Sequence, residues 1–128
     1  MLLNKIVLRN TEEFETVIKN WAIRQGIETE VFDGKTSLFD VAESMAVFHA
    51  DHNISKENKD LIDAFARKGK ETHKVDINGT LSAAADSFKF WLENNHPANV
   101  LIVGHNNLAE SRRLQEYLAQ LAQRLSSR

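Results

Sequence analysis

The chain has 128 residues, 42% hydrophobic and 27% charged, with 16 basic against 18 acidic side chains, one proline and no cysteine. A single domain of that length, spanning 1–128, buries roughly two-thirds of the surface its unfolded chain exposes. The near-neutral charge offers no surface suited to nucleic acid or membrane, and the lack of cysteine excludes disulfides and thiolate chemistry. The N-terminus lacks the apolar core and cleavage site of a signal peptide, and no apolar run nears the roughly 20 residues that cross a bilayer. A cytoplasmic protein is expected.

In chain order, Lys5 to Leu8 reads as a first strand. Asn10 with Glu13 forms a capping box for a helix whose apolar stripe is Phe14, Val17, Ile18, Trp21 and Ala22, and Gly26 is placed to end it. Glu28 to Phe32 alternates as a short strand, Asp33-Gly34 turns, and Leu38, Val41 and Ala42 mark a brief helical segment. Met45 to His49 is the third strand. Ser55 caps a helix carrying Leu61, Ile62, Phe65 and Ala66, which stops at Lys68-Gly69-Lys70. Thr72 to Ile77 makes a fourth strand, more polar and so less covered. Asn78-Gly79-Thr80 turns into a helix with Leu81, Ala84, Ala85, Phe88, Trp91 and Leu92 on one face, and Pro97 separates it from the next strand. Val100 to Val103 is a continuous aliphatic run, the pattern of a strand covered on both faces, and Gly104 follows it. A second capping box, Asn107 with Glu110, opens a last helix with the stripe Leu114, Tyr117, Leu118, Leu121, Ala122 and Leu125.

Five strands alternating with five helices predict a three-layer α/β/α domain with a five-stranded parallel, Rossmann-like sheet. The expected strand order is the flavodoxin-like 2-1-3-4-5, with a switch point between the first and third strands. Ligands of such sheets bind at the strand ends. The loops gathered there hold Arg9, Asn10, His49, Asp51, Asn78, Gly79, Thr80, Gly104, His105, Asn106 and Asn107 as candidate ligand-binding residues. Free N–H groups at the helix heads beside Gly79-Thr80 and Gly104-Asn107 favour a phosphate or carboxylate, although plain capping by Thr80 and Asn107 would explain the same residues. Gly104 is expected either because its backbone needs a positive φ or because a ligand approaches it closely.

Several motifs fail on inspection. Gly34-Lys35-Thr36 has the tail of a phosphate-binding P-loop, but position 29, where its first glycine belongs, is threonine. Arg9-Asn10 after the first strand replaces the glycines of a dinucleotide fingerprint. His49, Asp51 and His52 suggest a metal, yet two share a strand face while the third enters a turn, so hydrogen-bonded rim residues are expected and no metal. Asp51 stands where a response-regulator receiver carries its phosphoacceptor, but the acidic pair and lysine of that chemistry are replaced by Arg9-Asn10 and His105. Ser111 has no G-x-S-x-G elbow and reads as a surface residue inside the last helix.

From Asp40 onward the order of features resembles a Rossmann-like superfamily that includes molybdenum carriers, lysine-decarboxylase-like nucleotide hydrolases and nucleoside deoxyribosyltransferases. The features are Asp40 to Phe48, Arg67-Lys68-Gly69-Lys70, Val75-Asp76-Ile77, Phe90-Trp91-Leu92, and Val100 to Gly104 with Glu110-Ser111. In the carrier group a tryptophan-bearing helix precedes a strand ending in glycine, with Glu-Ser close behind, and Trp91, Gly104, Glu110 and Ser111 follow that order. The superfamily's glycine-rich phosphate loop is absent: Arg9-Asn10-Thr11-Glu12-Glu13 stands there. Its catalytic glutamate is not identified by motif, since Glu43 and Glu57 lie only in loosely comparable regions.

The resemblance and the rim residues together predict binding of a nucleotide or other phosphorylated small ligand, as in a molybdenum-carrier-like protein. His49, Asp51, His105 and Glu110 are the acid-base groups near that rim. The alternative is a non-enzymatic interaction module with a degenerate phosphate site. The sequence names no cofactor and no catalytic residue. The last helix, with Arg112, Arg113, Gln115, Gln120, Gln123 and Arg124 around its apolar seam, could support a homo-oligomer.

Overall fold

The computed structural model describes residues 2–126. Its strands are β1 (Lys5–Leu8), β2 (Glu28–Val31), β3 (Ser44–His49), β4 (Thr72–Asp76) and β5 (Val100–Gly104); its helices are α1 (Glu13–Gln25), α2 (Leu38–Val41), α3 (Lys56–Arg67), α4 (Leu81–Asn95) and α5 (Arg112–Ser126). Every strand pairing is parallel. The expected elements are all present, each within a few residues of the bounds read from periodicity. Among the described residues no helix is long and apolar enough to cross a membrane.

The strand order is β2-β1-β5-β3-β4, which corrects the expected 2-1-3-4-5. The last strand in the sequence sits in the middle of the sheet, pairing with β1 on one side and β3 on the other. That position explains its uninterrupted apolar run. Val100 and Ile102 face one core with Ile6, Leu8, Ala46 and Phe48, while Leu101 and Val103 face the other with Val7, Met45 and Val47. A period of two with both phases buried leaves no polar position in a central strand.

The same order decides which helix covers which face. The steps β1 to β2 and β4 to β5 run toward the β2 edge, and β2 to β3 and β3 to β4 run the opposite way. Right-handed crossovers therefore place α1 and α4 on one face and α2 and α3 on the other. The two cores agree: Phe14, Ile18, Trp21, Phe88, Leu92, Leu114, Tyr117 and Leu121 share one, and Ala42 and Phe65, with Leu38, Phe39, Leu61 and Ile62, share the other. The apolar seam of α5 is packed in the first core, which leaves the polar flanks of that helix, and not the seam, at the surface. The Trp21 indole N–H donates to the Leu118 carbonyl at 3.0 Å and ties α1 to α5 across their groove.

Helix ends match expectation in part. Gly26 closes α1 with φ +73°, a left-handed conformation that glycine adopts without cost, and the Ser55 hydroxyl accepts the Asn58 N–H as the head of α3. The two capping boxes do not form. Asn10 Oδ1 accepts the Glu12 N–H, and the Phe14 N–H is taken by Asn106 Oδ1, from the far end of the chain. A single 3₁₀ turn at Asn106–Leu108 precedes α5, and Ser111 lies at the head of that helix, accepting the Leu114 N–H.

Candidate functional site

β5 hands the chain to the α1/α4 side of the sheet and its neighbour β3 hands it to the other, so the crevice between their exits is the switch point of this sheet. It lies between β5 and β3, not between β1 and β3, which are not neighbours. A cavity of about 170 Å³ opens there, lined by residues from the β1 loop, the head of α3 and the β5 loop. Arg9, Asn10, Gly104, His105 and Asn106, all expected at the rim, come together in it, joined by Glu12, Glu15, Ser55, Glu57 and Asn58.

The electrostatics of this crevice are acidic. Arg9 Nη1 donates to Asn58 Oδ1 at 2.9 Å and lies 3.4 Å from Glu57 Oε1. Glu15 is only 2% exposed; burial pushes its carboxyl above the ordinary range, opposed by its own backbone N–H and by the Arg9 charge. Three N–H groups beside it are already used: Asn10 takes that of Glu12, Asn106 that of Phe14, and His105 Nδ1 that of Asn107, while the buried Arg9 Nε has no acceptor among the described residues. Asn106 also donates to Glu12 Oε1 at 3.0 Å. The carboxylates of Glu12, Glu15 and Glu57 against the single Arg9 guanidinium disfavour phosphate in this half of the expected site.

Gly104 lines this cavity without a positive φ. A Cβ built on it would lie 2.6 Å from Phe14 Cζ and 2.7 Å from Cε1, so the close neighbour is the buried Phe14 ring. This overturns the positive-φ reason and adds one the sequence did not offer, the packing of the Phe14 ring.

His49, Asp51 and Asn78 form a second cluster, at the ends of β3 and β4. His49 is buried, and its Nδ1 accepts the His52 N–H at 3.1 Å, which places the proton of the neutral ring on Nε2. Burial lowers its pKa, against the pull of Asp76. Asp51 and His52 adopt left-handed φ values of +54° and +64°, a costly pair of non-glycine conformations. They are held because Asp76 Oδ1 accepts the Asp51 N–H and the Asn78 N–H, and Asp51 Oδ2 accepts from Asn78 Nδ2 at 2.8 Å. Burial alone would raise the Asp76 carboxyl; the two N–H bonds and the adjacent imidazoles bring it below the ordinary value. These are hydrogen-bonded rim residues, and among the described residues no group of three His, Cys, Asp or Glu side chains could hold a metal ion.

Gly79 and Thr80 stand at the head of α4. Thr80 is the N-cap residue but makes no side-chain hydrogen bond to the helix, and the first turn has no acidic residue. Beside it lies a group the sequence did not single out for binding. Arg113, in the first turn of α5, donates from Nε to the Ile77 carbonyl and from Nη2 to the Gly79 carbonyl. Its partners are carbonyls, so its charge is not neutralised by a carboxylate among the described residues. Asn58 was the more legible omission: it precedes Leu61, Ile62 and Phe65 at helical spacing, a polar residue on an apolar stripe.

No protein-family model matches the chain, and no curated protein does. Among solved structures, that of a putative molybdenum carrier protein from Syntrophus aciditrophicus SB is similar over 98% of this chain and 96% of that one, with 13% identity and a TM-score of 0.67. At that identity the likeness is one of fold, and the fold is the Rossmann-like α/β architecture of a five-stranded parallel sheet with helices on both faces.

Proposed function

We propose that this chain binds a small phosphorylated or oxyanionic ligand, of the nucleotide class or a simpler one, with the anion at the head of α4. The observation that carries this reading is the uncapped start of a 15-residue helix lying beside the Arg113 guanidinium. Unsatisfied N–H groups, the positive end of the helix dipole and a cation without an acidic partner all favour negative charge at the same place. Molybdate carries the same charge type as phosphate, and the fold neighbour's description as a molybdenum carrier makes it a ligand to include.

The test is an NMR titration with phosphate, molybdate, ribose 5-phosphate and nucleoside monophosphates. Expected perturbations fall on the amides of Gly79, Thr80 and Leu81 and on the Arg113 side chain, and Arg113→Ala removes them. Perturbations confined to Arg9, Glu15 and Asn106 would move the site to the crevice and away from anions. One observation favours the second reading, a non-enzymatic interaction module: after β1 the N–H groups of Glu12 and Phe14 are used by the chain's own Asn10 and Asn106. No response to any of the four ligand types would support it.

A further inference from the structure

β4 is an edge strand, and its open side has a definite hydrogen-bonding pattern. The Glu71 carbonyl accepts from Met45, and the Ile77 N–H donates to His49. In a parallel ladder alternate residues point to the same neighbour, so 71, 73, 75 and 77 serve β3 while Thr72, Lys74 and Asp76 direct their N–H and C=O groups outward, the Asp76 carbonyl also accepting the Gly79 N–H at 3.4 Å. An antiparallel copy of the same strand can pair with these groups in two central registers. Centring the twofold axis on Lys74 sets lysine against lysine. Centring it on Val75 sets Lys74 opposite Asp76 of the second copy, and Asp76 opposite its Lys74, giving two complementary pairs. β2, the other edge, carries Glu28 and Glu30 and no base, so it offers no such pairing.

A second feature lies on the same edge. Phe90 on α4 is 66% exposed, and it borders a hollow of about 590 Å³ whose walls include His73 of β4 together with Ser87, Trp91 and Asn94. His73 stacks on Trp91 with ring centroids 5.3 Å apart, which joins the strand edge to the aromatic face of the helix. A twofold axis through the strand edge brings the second copy's α4, with its own Phe90, to the same face of the joined sheet. Each exposed ring then has an apolar surface to cover it.

We infer that two copies of this chain associate edge to edge through β4, forming a continuous ten-stranded sheet in the register centred on Val75, with Phe90 packed across the junction. The contact is isologous and closes at two copies.

Sedimentation velocity from low to high micromolar concentration tests it. The expected species at high concentration has twice the 14.6 kDa chain mass; a single chain throughout, or growth to filaments, overturns the inference. Charge reversal tests the register. Lys74→Glu and Asp76→Lys should each abolish the dimer when alone, and an equimolar mixture of the two should restore it, because each variant then supplies the charge the other lacks. A wild-type dimer that either reversal leaves intact, or a mixture of folded variants that stays monomeric, overturns it. Should Asp76→Lys fail to fold, because Asp76 anchors the neighbouring loops, Phe90→Ser decides. Its exposed side chain is dispensable to the fold, and the dimer is expected to weaken by about tenfold or more; an unchanged dissociation constant overturns the inference.

Discussion

At Gly104 the obstacle to a side chain is a neighbour from the other end of the chain, the ring of Phe14, itself packed edge-on against Phe48 at 5.8 Å. Phe14 is fully buried and cannot swing aside cheaply. Gly104→Ala should therefore lower stability by about 1–3 kcal/mol, the usual range for overpacking, and Phe14→Leu should recover part of the loss in a double-mutant cycle followed by chemical denaturation. Additive losses would show that the ring is not the cause. The sequence marked this glycine as required, but the reason was tertiary and so could not be read locally. Glu15 was hidden for a related reason: it stands in the first turn of α1, where an acid is ordinary, and only the arrival of the β5 and α3 loops buries it. Because burial raises its pKa, the folded state holds this proton more tightly than the unfolded one. The stability it contributes is complete below the unfolded carboxylate value of about 4.3 and is lost as pH rises through the folded value. Glu15→Gln should then raise Tm at neutral pH, with the gain disappearing below pH about 4. An equal shift at both pH values would point to packing instead of charge.

Helix heads show how far local pattern reaches. Ser55 caps α3 as its sequence position suggests, because donor and acceptor are three residues apart and need nothing else. The head of α1 is completed by Asn106 across 92 residues, and the local box of Asn10 and Glu13 lies too early, since the helix starts at Glu13 with Glu12 as its N-cap. At α5 the local box lies too early, since the 3₁₀ turn occupies it and Ser111 takes over. Ser111→Ala should cost about 0.5–1 kcal/mol, and Asn107→Ala, whose side chain caps nothing, should be close to neutral. The reverse ranking in urea denaturation would restore the earlier capping box. Arg113 was legible only as one polar residue of the last helix, because a binding role depends on which carbonyls α5 meets at the end of β4.

Burial patterns along the sequence carry the class of fold and mark which strands are edges and which is central. Glu28 to Val31 and Thr72 to Asp76 are the polar strands and both are edges; Val100 to Val103 is apolar at every position and is central. The flavodoxin-like order would have put β5 at an edge, in conflict with its own composition. What periodicity could not supply was the loop partnership that follows from the order, so the crevice between β5 and β3 and the junction at Arg113 came only with the structure. The central place of β5 also bears on how the protein is made. β1 pairs with β2, and β3 with β4, but no hydrogen-bonded ladder joins the two pairs until β5 enters between them. A ribosome that has delivered residues 1–98 has delivered two strand pairs and no sheet, each pair with an apolar margin open to solvent. A fragment ending at residue 98 should show no cooperative thermal transition, and a peptide of residues 99–128 added in trans should restore one; during synthesis that interval is when a chaperone would find most to hold.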